Sequence, residues 1–197
     1  VACANDTTSN TTKQAPQIAA KTTYTNSLAG KKILVAYFSA TNNTKRVAEE
    51  IAQATGADIY RIEAAQSYSA NPYDDKDLIQ KEAYENLRPE VKAPLPASEM
   101  AKYDVIFVGS PIWWHQPAMV VCTFLESYDL SGKTIVPFFT YGARSYLNES
   151  MQRIYKSTPN SVHVPDNIQQ SQNDDDGIIM PADVGNIDAW LKVLQLK

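Results

Sequence analysis

Ile33-Leu-Val-Ala-Tyr-Phe-Ser-Ala-Thr-Asn-Asn-Thr44 is the stretch on which the reading of this chain turns. Its apolar run, Ile33 to Phe38, stops abruptly in hydroxyl and amide residues, and Thr44, Val47, Ala48, Ile51 and Ala52 follow at helical spacing. The pattern predicts a buried strand, a polar loop and a helix. A helix start offers unpaired N–H groups and a partial positive charge, so Ser39, Thr41, Asn42, Asn43 and Thr44 together suit a phosphate. A cap formed by Asn43 or Thr44 would account for one polar residue, not five.

Outward from this stretch the same alternation repeats. Thr55-Gly56 stops the first helix, and Ala57 to Ile62 reads as a second strand. A polar, tyrosine-rich passage from Ser67 to Asp77 turns at Asn71-Pro72 and leads into a helix over about Asp74–Asn86, after which Pro89, Pro94 and Pro96 prohibit regular structure. Tyr103 to Gly109 is a third strand, ending in a loop from Ser110 to Pro117, with Pro117 in the first turn of the next helix. Lys133 to Thr140 is a fourth strand, Ser145 to Ser157 a helix, Ser161 to Val164 a short fifth strand and Asp183 to Leu194 a closing helix. Strands that are nearly unbroken apolar runs, alternating with helices, specify an α/β protein whose parallel sheet is covered on both faces.

The first stretch resembles the phosphate loop of flavodoxins, which hold the phosphate of FMN. The family pattern is met by Tyr37, Ser39, Thr44, Ala48 and Ile51. Asn42 stands where the family usually carries Gly or Ala, and Asn is the non-glycine residue that best tolerates a left-handed backbone. The resemblance implies a flavodoxin-like three-layer sandwich with a five-stranded parallel sheet in the order 2-1-3-4-5. In such a sheet, ligands bind beyond the strand C-termini where the chain direction reverses, so the loops after strands one and three become the walls of the site.

The loop after strand three holds Pro111-Ile112-Trp113-Trp114. Two adjacent tryptophans in a loop offer a flat apolar wall for an aromatic ring, and the run resembles a branch of flavodoxin-like proteins in which this loop contacts the isoalloxazine. The third wall expected from the resemblance is the loop after strand four, Thr140, Tyr141 and Gly142, with Tyr146 near it. Arg144 reads as a surface residue or as a charge near the flavin edge. His115 and His163 lack partners at metal-ligand spacing, and His115 reads as an exposed loop residue or a proton-exchanging one. Asp174-Asp-Asp-Gly177 lacks the alternation of a calcium loop.

At 197 residues, 44% of them hydrophobic, the chain suits one well-cored domain. A formal charge of −4 argues against a nucleic-acid surface. No apolar run reaches the length of a membrane-spanning helix. Cys122 reads as a small buried residue. Val1-Ala2-Cys3 resembles the end of a bacterial lipoprotein signal, with Cys3 as the lipid-attachment residue, and residues 1–30 read as a disordered tether ahead of a domain over residues 31–197. That places the protein in the bacterial cell envelope if Cys3 is lipidated, with membrane contact only through that anchor, and in the cytoplasm otherwise.

No G-x-G-x-x-G, G-x-x-x-x-G-K-[ST] or G-x-S-x-G pattern occurs. With no nucleophile–base pair in sight, redox chemistry would belong to a cofactor. The resemblance therefore implies an FMN-binding protein carrying electrons between redox partners, whether a protein or a small electron acceptor. Two alternatives stay open: an NAD(P)H-dependent reductase of quinones or similar acceptors, and a binding module that has kept the fold without the flavin.

Overall fold

The computed structural model describes residues 28–142, 146–166 and 187–194. Of the tether expected over residues 1–30 only 28–30 are described, and Leu28 packs in the core; Cys3, Arg144, the Asp174–Gly177 run and the start of the expected closing helix lie outside the described residues. Strand β1 is Ile33–Tyr37, followed by α1 (Asn43–Thr55) and β2 (Asp58–Arg61). A 3-10 turn, Pro72–Asp75, runs into α2 (Lys76–Tyr84), and a single helical turn, α3 (Ala97–Met100), precedes β3 (Val105–Trp113). Then come β4 (Gln116–Pro117), α4 (Met119–Glu126), β5 (Thr134–Thr140), α5 (Leu147–Ser157), β6 (Val162–His163) and α6 (Ile187–Val193).

The strands form one six-stranded sheet in the order β2-β1-β3-β5-β6, with β4 attached only to β3. The main path is parallel throughout. The flavodoxin-like order expected from the sequence is therefore present, its fourth and fifth strands being β5 and β6. Alternate residues feed opposite faces, as a strand period of two requires. Leu34, Ala36, Ile106, Val108, Ile135 and Phe139 pack on one face with residues of α4 and α5. Val35, Tyr37, Val105, Phe107, Val136 and Phe138 pack on the other with α1 and α6. Each fully buried aliphatic or aromatic side chain removes apolar surface worth about 1.5–3 kcal/mol from water, which is what holds the three layers together.

Two residues explain how this sheet tolerates unusual sequence. Pro137 sits inside β5, yet it shares parity with Lys133 and Ile135, whose carbonyls accept bonds from Val162 and Val164. Its missing N–H thus falls on the side where β6 has already ended, and no ladder bond is lost. Gly109 faces Phe138 across β3 and β5, and a Cβ there would lie 2.2 Å from the Phe138 ring. The aromatic ring occupies the space a larger residue would need.

The structure corrects the sequence reading at several points. Pro111, Ile112 and Trp113 are not loop residues, because β3 continues through them and folds back as β4. The two-residue turn between them, Trp114 and His115, has φ of 50° and 69°. Positive φ at both central positions matches the turn whose twist suits a tight hairpin. Pro117 accordingly lies in β4, and the helix starts two residues later at Met119. The helix expected over Asp74–Asn86 divides into the 3-10 turn and α2, because Pro72 fixes a tight first turn and the Asn71 side chain accepts from the Tyr73 N–H at 3.2 Å.

Candidate functional site

A cleft of about 710 Å³ opens at the C-terminal ends of β1, β3 and β5. Of the twelve flavin-site residues named from the sequence, all but Asn42 line it. Asn42 shapes the loop instead: its φ of 67° puts it in the left-handed region, where it forms the N-terminal boundary of α1.

The first wall is the β1–α1 loop. The Asn42 side chain does not cap α1, and among the described residues no side chain is bonded to the N–H groups of its first turn. Ser39 is 4% exposed and lines the cleft, and its Oγ is buried without a hydrogen-bond partner. A buried hydroxyl left unpaired costs about 1–3 kcal/mol, so it marks a place built for another group. Thr44, 1% exposed, shares a 2.8 Å hydrogen bond with the Thr140 hydroxyl, tying this wall to the end of β5. Asn43 Nδ2 donates to Thr41 Oγ1 at 3.3 Å. Behind the loop, an Arg61 Nη donates to the Ser39 carbonyl at 2.7 Å and adds positive charge without entering the cleft.

The second wall is the β3–β4 hairpin with the end of β5. Ser110 pins its base, its Oγ accepting from the Ala118 N–H at 2.9 Å and donating to the Pro111 carbonyl at 2.8 Å. Helix α5 braces the far strand, with Arg153 Nε donating to Gln116 Oε1 at 3.1 Å and Ser150 Oγ to the His115 carbonyl at 3.3 Å. The two tryptophans have separate surroundings. Trp113 meets Phe38 and Tyr68 edge-on, both with ring centres 5.3 Å away, and Phe38 and Tyr68 close the triangle at 5.7 Å. Trp114, 39% exposed, has one edge contact, with Tyr84.

The loop after β5, expected from the sequence as a third wall, joins the second, and the third wall is one the sequence reading did not name, Ala70 to Tyr73 with Lys76 and Ile79. The tyrosine-rich passage, read from the sequence as a turn leading into a helix, is here part of the cleft itself. Its anchor is Tyr68, whose hydroxyl donates to Glu82 Oε2 at 2.7 Å. Burial raises the Glu82 pKa, with Asp75 adding to the effect and the Tyr68 bond opposing it. Burial and the bond to Glu82 push the Tyr68 hydroxyl far above its ordinary range. Nothing in the sequence marked Lys76 out for the cleft.

The two histidines divide. His163 is structural, its ring nitrogen meeting the Thr158 carbonyl at 2.8 Å. His115 sits at the hairpin tip, stacked on Tyr146 at 3.6 Å and 3.8 Å from Glu149. It borders a side hollow of about 240 Å³ with Ile112, Trp114, Tyr141, Gly142 and Tyr146 and does not line the main cleft. Cys122 is fully buried and its thiol is raised by burial, in keeping with a core residue. Among the described residues no group of acidic, histidine or cysteine side chains could hold a metal ion, and no helix is long and apolar enough to cross a membrane.

A parallel α/β sheet with a polar β1–α1 loop and an aromatic wall at the reversal defines a class, and comparison with known proteins identifies the family. The flavodoxin family profile matches residues 32–179. The chain belongs to the flavodoxin family. A structure described as a flavoprotein from Bacteroides eggerthii DSM 20697 is 32% identical, with 85% of this chain and 100% of that one covered and a TM-score of 0.65. One from Bacteroides uniformis ATCC 8492, described likewise, is 30% identical over 83% of this chain and 99% of that one, with a TM-score of 0.66. The flavoprotein of Lactobacillus acidophilus NCFM in complex with FMN shares the fold at 20% identity, covering 82% of this chain and 99% of that one at a TM-score of 0.59. No curated protein matches the chain.

Proposed function

We propose that this protein binds FMN in the cleft and carries electrons between redox partners. The observation that carries this reading is the Ser39 hydroxyl, buried and unpartnered beside the open N-terminus of α1. A phosphate would satisfy that hydroxyl and the first-turn N–H groups together, so the residues present fit the group. The loop residues Ser39, Thr41, Asn43 and Thr44 would hold the phosphate, with Asn42 fixing the backbone. Pro111 to Trp114 and Thr140 to Gly142 would bound the ring, as in the branch that the Pro-Ile-Trp-Trp run resembles. When bound, the flavin supplies the redox chemistry.

The chain's own work would be to orient the ring and keep water from it, Trp114 and Tyr73 being the exposed rings that line the cleft. A cleft of this size falls within the range of about 300–1,000 Å³ typical of cofactor sites. The test is to photoreduce the FMN-loaded protein and mix it with an oxidised redox protein such as cytochrome c. Electrons should pass to the acceptor, while NAD(P)H alone leaves the oxidised flavin spectrum unchanged. Rapid bleaching by NAD(P)H with reoxidation by a quinone would replace the carrier with a reductase. FMN that washes away on dialysis would leave a binding module of flavodoxin fold.

A further inference from the structure

Among the described residues that line the cleft, Lys76 is the only charged one. Among the described residues it makes no ion pair and no side-chain hydrogen bond. Its acidic neighbours are not paired with it: the Asp75 carboxylate is turned to the Ser69 N–H, and Asp74 and Asp77 do not line the cleft. Lys76 follows the 3-10 turn directly, and among the described residues no salt bridge accounts for it. Tyr73 lies one 3-10 turn earlier, with the Lys76 N–H bonded to its carbonyl. That geometry eclipses side chains three apart, placing ring and ammonium on one face. Tyr73 lines the cleft while 83% exposed, a large aromatic surface left in water.

The phosphate loop does not need this lysine, since it already has the α1 N-terminus, buried hydroxyls and Arg61 behind it. We propose that the third wall is a subsite for a small planar anion, its ring lying against Tyr73 and its charge meeting Lys76. A planar body gains dispersion and loses hydration against the tyrosine face, and the exposed ammonium contributes a screened attraction. This deepens the electron-transfer reading and rests on it, because it names the chemical class of the small-molecule partner that the cleft receives beside the cofactor.

The test uses the full chain loaded with FMN and follows equilibrium dialysis of anthraquinone-2-sulfonate against its uncharged 2-hydroxymethyl analogue. At low salt the sulfonate should bind about three- to fivefold tighter than the neutral ring, a difference that fades as salt shortens the screening length. Lys76→Gln should erase the difference and leave FMN affinity within about twofold, as expected for a charge that contacts the second ligand alone. Lys81→Gln, which removes a charge from the same helix outside the cleft, should leave the difference intact. Tyr73→Ala should weaken both probes. Equal binding of the two probes to the wild type overturns the subsite, as does a Lys76→Gln variant that loosens FMN as much as the sulfonate. Failure to retain FMN would instead count against the cofactor reading. The dialysis is then repeated on the apoprotein, where the same preference for the sulfonate supports the subsite and its absence overturns it.

Discussion

The two ends of the cleft are built from opposite materials. At the phosphate-loop end the groups are small and neutral: Ser39, Thr44 and Thr140 are buried, the two threonines hydrogen-bonded to each other, while Thr41, Asn42 and Asn43 are exposed. At the hairpin end the groups are large rings, half-buried or exposed, on a turn in which a tryptophan and a histidine both take positive φ. A residue that pays conformational strain to reach a site edge is held there by its surroundings. On the proposed reading the contrast separates two tasks: one end would read a fixed charge and the other would meet a flat surface of variable identity.

Substitutions at the two ends should therefore fail in different ways. The largest effect is expected from Thr44→Val, which removes a hydroxyl from the charged end. A hydrogen bond to a charged group is worth about 1.5–3 kcal/mol, so FMN should bind roughly ten- to a hundredfold more weakly while riboflavin, which lacks the phosphate, is unaffected. Calorimetric titration with both ligands measures this. Trp113→Ala should weaken FMN and riboflavin equally, by about 0.5–1.5 kcal/mol, because it removes a ring contact and leaves the phosphate loop alone. Equal losses for both ligands in Thr44→Val would break the division between the ends.

At Tyr68 the effect on flavin discrimination should be smaller still, and the loss falls on stability instead. Tyr68→Phe keeps the ring against Trp113 but leaves the Glu82 carboxylate without its donor. Its cost to stability should be about 1–3 kcal/mol by urea denaturation, with little change in the ratio of FMN to riboflavin affinity. Glu82 adds a pH signature. Its folded pKa is raised above the ordinary value of 4.5, so the fold favours the protonated form. The stability this contributes is present below 4.5 and is lost as pH rises through the raised value. Glu82→Gln, which still accepts from Tyr68, should match the wild type in acid and exceed it at neutral pH. The smallest effect is expected for Trp114→Ala, within about 0.5 kcal/mol for FMN, as for most exposed substitutions.

Much of the phosphate-loop end could be read from the sequence, because a strand, a polar loop and a helix are local events. Ile33 to Phe38 is an unbroken apolar run, and Val47, Ala48, Ile51 and Ala52 keep helical spacing, so the loop between them is delimited from both sides. The hairpin end was harder. Its residues were named, yet the turn uses Trp114-His115 in place of the Asn-Gly or Asp-Gly that signals such a hairpin, and Pro117 looked like a helix start. The third wall depends on Tyr68 folding onto Phe38, 30 residues earlier in sequence, and on its hydroxyl reaching Glu82, contacts that no local pattern encodes. Lys76 was visible as a letter, but its isolation within the cleft is a tertiary fact.

The account rests most directly on whether the cleft reads a phosphate. Purified full-length protein, titrated side by side with FMN and riboflavin and then dialysed, answers that. FMN should remain with the protein and riboflavin should wash away, the gap reflecting the hydrogen bonds of about 1.5–3 kcal/mol each that the β1–α1 loop makes to a charged group. If both flavins are held alike, the loop does not read phosphate; if neither is held, the cleft is not an FMN site.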